Sequence, residues 1–124
     1  MKESLELLLK IQKLKKIHAD YQPEAYSFVL AALDFTVKKF PKSRHVSGEE
    51  LLEGIRLYAL ELFGPMVINV FEHWGVKNTL DFGQIVSDLV EAGLLRKQEK
   101  DSLNDFENKY DFKKTFVKKF TFSE

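Results

Sequence analysis

With 124 residues, 44% of them hydrophobic and 31% charged, the chain has the length and composition of one globular domain rather than of a disordered segment. Lys and Arg number 19 and so do Asp and Glu, and there is no cysteine, which excludes disulfides, cysteine nucleophiles and zinc–thiolate sites. No apolar run approaches the roughly 20 residues that cross a bilayer, and residues 1–16 mix Leu with Glu and Lys, unlike a secretory signal.

Residues 4–17 place Leu5, Leu8, Leu9, Ile11 and Leu14 at spacings of three and four among Glu6, Lys10, Lys13 and Lys15, which predicts an amphipathic helix. Lysines crowd its last turn, where they suit the negative end of the helix dipole. Pro23 opens a second helix at a position that tolerates a missing N–H, with Glu24 beside it. Tyr26, Val29, Leu30, Leu33 and Val37 form its apolar face, and Pro41 is expected to stop it near Phe40. Ser47-Gly48-Glu49-Glu50 is the clearest start signal in the chain. Ser47 caps and Glu50 reaches back, and Leu51, Leu52, Ile55, Ala59 and Leu62 follow at helical spacing before Gly64.

Pro65 restarts a short helix carrying Val67, Val70, Phe71 and Trp74, closed by Gly75. Thr79 is the expected cap of the next, which turns Phe82, Ile85, Val86, Leu89 and Val90 inward and ends at Gly93. Ser102 and Asp105 suggest one more capped turn. The Phe- and Thr-bearing stretch from Tyr110 to Phe122 leans toward one or two short strands, with Leu94–Gln98 as a pairing partner. The expected fold is therefore mainly α: a compact single domain, residues 1–124, of five to six bundled helices with short C-terminal strands.

Charge is distributed unevenly along this framework. Residues 1–45 hold nine Lys/Arg against five Asp/Glu, residues 46–93 two against eight, and residues 94–124 eight against six. The helix at Val67–Trp74, the turn at Gly75–Asn78, the helix from Thr79 and then Leu94-Leu95-Arg96-Lys97 have the order of a winged helix. The helix that would enter DNA carries Asp81, Asp88 and Glu91, with no Lys or Arg between Thr79 and Leu94, so like charges would face the phosphates. That order then suits protein contacts, or leaves nucleic-acid binding to the basic flanks.

Candidate chemistry is sparse. His18, His45 and His73 are never three or four apart, so helical metal-ligand spacing is missing and no metal or cofactor is expected. There is no glycine-rich phosphate loop, and Ser47 is better explained as a cap than as a nucleophile beside His45. The carboxylate pairs Glu49/Glu53, Glu50/Glu53 and Asp81/Asp88 read as solvated helix faces, because nothing local marks one as desolvated.

Arg44 and His45 ahead of a helix N-terminus, with Arg56 and His73 as possible neighbours, form the best candidate anion or partner site. The plainer alternative pairs Arg44 with Glu49 or Glu50 at the surface. Lys113, Lys114, Lys118 and Lys119 interleave with Phe112, Phe116 and Phe120. That pattern reads first as lysines guarding an edge strand and second as a basic–aromatic surface for nucleic acid.

Three stretches together carry a resemblance: Tyr21-Gln22-Pro23-Glu24-Ala25-Tyr26; Arg44-His45-Val46-Ser47-Gly48 through Phe63-Gly64-Pro65-Met66 to Trp74-Gly75; and Asp81-Phe82-Gly83 through Tyr110-Asp111-Phe112. On these the chain resembles an uncharacterised bacterial protein family of similar length. The resemblance covers nearly all of the sequence and departs at Ser87, where the family is apolar or aromatic. It implies a bacterial, cytoplasmic, single-domain protein and brings no activity, cofactor or catalytic residue with it.

The functional expectation is thus a non-enzymatic module that contacts another protein or a second copy of itself, with no membrane role. A nucleic-acid-associated protein is the alternative, and a small enzyme centred on His45 comes third.

Overall fold

The structure is a computed structural model that describes residues 5, 9, 20–39, 46–95, 106, 109–112 and 115–116. Within them the chain forms helix α1 (Pro23–Val37), helix α2 (Gly48–Phe63), a 3-10 turn (Gly64–Met66), helix α3 (Val67–Trp74) and helix α4 (Thr79–Glu91). The protein is mainly helical, and no strand occurs among the described residues.

Each start has a local cause. Pro23 occupies the first turn of α1, where its absent N–H leaves no bond unmade. Ser47 Oγ accepts from Glu50 N–H at 3.1 Å while Glu50 Oε1 accepts from Ser47 N–H at 3.0 Å, the reciprocal box expected of that sequence. At α4 the cap is Asn78 rather than Thr79: Asn78 Oδ1 accepts from Asp81 N–H at 3.1 Å. Thr79 is wholly buried instead, and its Oγ1 accepts from Lys109 N–H.

Glycines cap the ends of α2 and α3, whereas Lys38 and Ala92 follow α1 and α4. Gly75 ends α3 in the left-handed region at φ 86°, and a side chain there would run into the Asp20 carbonyl. The same corner is tied by Gln22 N–H donating to the Trp74 carbonyl at 3.1 Å, so the end of α3 abuts the start of α1. Helices α1 and α2 approach most closely at Gly54. A methyl group at that position would overlap Thr36, whose hydroxyl folds back onto the Ala32 carbonyl at 2.7 Å.

Aromatic rings dominate the core. Phe28 of α1 meets Tyr58 and Phe63 of α2, Phe71 and Trp74 of α3 and Phe82 of α4, with centroids 5.2 to 6.4 Å apart. Phe71 is the second hub, in contact with Phe82 and with Phe112 and Phe116 from the C-terminal stretch. Such ring pairs add to the apolar area they remove from water.

The strand expectation for this stretch is corrected where it is described. Phe112 and Thr115–Phe116 lie in helical turns, and Thr115 N–H donates to the Asp111 carbonyl at 2.9 Å. Buried contact with Phe71 decides their conformation, overriding β-leaning residue types. The proposed pairing segment beyond Leu95, the Ser102–Asp105 turn and residues 117–124 lie outside the described residues.

Candidate functional site

Tyr21 and Tyr26 flank the start of α1, and their rings meet edge to face at 6.3 Å. Both reach α4. Tyr21 Oη donates to Asp81 Oδ1 at 2.6 Å, and Tyr26 Oη donates to Asp88 Oδ2 at 2.8 Å. The two carboxylates are seven residues apart, which is two turns and hence one face of the helix. Asp88 is 1% exposed and also accepts from Gln84 Nε2 at 3.0 Å. Asp81 Oδ2 accepts the backbone N–H groups of Lys77 and Asn78 at 2.7 and 3.2 Å.

The reading of Asp81/Asp88 as a solvated acidic face is therefore overturned: the pair is turned inward onto tyrosines. Burial and the neighbouring carboxylates hold the Tyr21 and Tyr26 phenols well above the usual tyrosine range, so both stay neutral donors at ordinary pH. Every oxygen of this seam has a partner, and no buried side-chain N or O among the described residues lacks one. Its chemistry is structural cross-linking, with neither carboxylate left over as a base.

The residues singled out from sequence do not converge among the described residues. Arg44 and His45 lie outside them. Arg56 is gripped by Glu53 on its own helix through both Nε (3.0 Å) and a terminal guanidinium nitrogen. His73 is exposed in the last turn of α3. Glu49 receives Lys109 Nζ at 2.9 Å and Glu50 closes the Ser47 box, and the suggested pairing of either with Arg44 lies outside the described residues. No group of three or more His, Asp or Glu that could hold a metal occurs among the described residues. Lys113, Lys114, Lys118 and Lys119 lie outside them.

Lys109 and its neighbour form a strap that the sequence reading missed. Tyr110 Oη donates to the Leu52 carbonyl at 2.9 Å, which joins the C-terminal stretch to α2. Burial and the nearby Glu53 raise the Tyr110 phenol above its ordinary range. No local pattern announces these bonds, since their partners are 58 and 60 residues away.

Among the side chains the core leaves uncovered are several large apolar ones. Leu62, which α2's spacing assigns to the interior, is 52% exposed, and Met66 just beyond it is 54% exposed. Pro65 between them and Glu61 beside them are exposed as well. Leu5 and Leu9, helical and one turn apart, are 58% and 51% exposed. Single exposed leucines are ordinary, whereas large contiguous apolar patches are the ones that mark contact surfaces. No helix among the described residues is long and apolar enough to cross a membrane.

Comparison with known proteins adds no name: no family model matches the sequence, and neither a curated protein nor a solved structure matches it.

Proposed function

We propose that this protein is a non-enzymatic interaction module, folded as one domain, that contacts another polypeptide through the corner at the end of α2. The observation that carries the reading is the exposure of Leu62 and Met66 on either side of Gly64-Pro65, bordered by Glu61. The carboxylates and phenols between α1 and α4 are engaged by hydrogen bonds, while Leu62 and Met66 stand in water. A photo-crosslinking residue placed at position 62, in cells, tests it against the same probe at exposed Lys38. A discrete adduct formed only from position 62 supports the reading. Identical patterns from both positions overturn it.

A second reading has one observation in its favour. In a winged-helix-like arrangement α3 and α4 would form the helix-turn-helix, and the inward turn of Asp88, with Asp81 engaged by Tyr21, removes much of the negative charge assigned to α4's outer face. Binding would then fall to the basic flanks, including Lys113, Lys114, Lys118 and Lys119, because α4 itself carries no Lys or Arg. Titrating DNA and RNA against the protein from low to high salt decides it: affinity that falls steeply with salt supports the reading, and no binding at low salt removes it.

A further inference from the structure

The described part of residues 106–116 fastens to three helices at once. Phe106 is buried against Gly83 of α4, so close that a methyl group on Gly83 would overlap it. Lys109 N–H donates to the buried Thr79 hydroxyl at 3.2 Å, and Tyr110 Oη donates to the Leu52 carbonyl of α2 at 2.9 Å. Phe112 and Phe116 are buried on Phe71 of α3, with centroids 5.3 and 5.6 Å from its ring.

The links among the helices run without this stretch. Tyr21–Asp81 and Tyr26–Asp88 hold α1 to α4, and Gln22 N–H on the Trp74 carbonyl holds α1 to α3. Phe28 joins α2, α3 and α4 through rings of their own. Lifting residues 106–116 therefore leaves these contacts in place and bares Phe71, Phe82, Gly83 and the Thr79 hydroxyl. Among its fastenings, Lys109–Glu49 is an exposed ion pair and contributes little. The gain from the buried rings is set against the conformational freedom lost in ordering the whole stretch, which leaves closure a close balance.

We propose that residues 106–116 are a displaceable strap over a peptide-binding pocket, which takes a polypeptide segment with aromatic residues at the strap's own spacing. The pocket has a peptide's chemistry: Gly83 admits a ring, Phe71 and Phe82 pack on rings, and Thr79 accepts a main-chain N–H. It meets α2 at Leu52, near the start of that helix, whereas Leu62 stands in its last turn. The proposal is thus independent of the corner at Leu62.

The probe is a fluorescein-labelled peptide with the sequence of residues 106–116, titrated with the full chain and read by anisotropy. An outside segment binds only the open fraction, so loosening the strap must tighten it. Lys109→Ala with Tyr110→Phe, made in the protein alone, removes the ion pair and the phenol bond. Apparent affinity is then expected to rise roughly three- to tenfold. Binding should be lost with Phe106→Ala and Phe112→Ala in the peptide, and with Gly83→Ala in a loosened chain whose circular dichroism is unchanged.

Equal affinity for the parent and loosened chains overturns the proposal, as does the absence of saturable binding to both. Binding that survives either of the last two changes also overturns it, because the peptide then sits elsewhere. A stretch that merely completes the core would lower the melting temperature of the loosened chain with no gain in peptide affinity.

Discussion

The seam between α1 and α4 and the corner at the end of α2 are built on opposite terms. At the seam, buried Asp88 and half-buried Asp81 meet two phenols, and each phenol–carboxylate bond joins residues 60 or more apart in sequence. At the corner, a leucine and a methionine face water although the helical spacing of α2 directs Leu62 to the interior. The difference is one of cover. Asp88 has a tyrosine brought to it, whereas in the last turn of α2 Phe63 packs on Phe28 and Trp74 and Leu62 is left without cover. Polarity therefore says less about where a side chain ends up than the presence of a partner does. The seam ties α1 to α4, and the corner faces water.

The sharpest way to break the contrast is to remove interior support altogether. Phe71→Ala strips the hub that joins α3 to Phe28, Phe82, Phe112 and Phe116, and is expected to cost about 3–5 kcal/mol in urea unfolding. Tyr26→Phe acts on the seam alone: it leaves Asp88 buried with one donor fewer, at a cost of roughly 1–3 kcal/mol by the same measurement. A loss below a few tenths of a kcal/mol would show that the buried bond adds nothing beyond its geometry.

Alkaline pH separates the regions without mutation. The phenols of Tyr21, Tyr26 and Tyr110 bind their protons more tightly folded than unfolded. Stability is therefore fully present below about pH 10, where an unfolded tyrosine begins to ionise, and declines as pH rises above it. Melting temperatures should stay level on approach to that value and then fall, with a shallower fall in Tyr26→Phe. The smallest effect belongs to the corner. Leu62→Gln with Met66→Gln should change unfolding free energy by no more than about 0.5 kcal/mol, because both side chains already face water.

Local signals were enough for the starts of α1 and α2 and for the end of α3. The Ser47–Glu50 box, Pro23 at the opening of α1 and the glycine after Trp74 are read from neighbours within a few residues, and the structure places them as expected. Non-local facts were beyond that reach. Asp88 looks like any solvated acid until Tyr26 arrives from 62 residues away. Thr79 looks like a cap until the backbone of Lys109 claims its hydroxyl. Phe112 and Phe116 carry β-leaning company, yet contact with Phe71 settles them in helical turns. Ser87 is exposed and so takes no part in the interior. The corner at Leu62 escaped for the converse reason, since periodicity reports which way a side chain points and is silent on whether anything lies there.

The Tyr26–Asp88 bond also constrains how this sequence can drift. Changing either residue alone strands a polar group in a dry place, whereas exchanging both together removes the donor and the acceptor of this bond at once. Positions 26 and 88 are expected to vary as a couple across descendants of this chain, while position 62 wanders with whatever it touches.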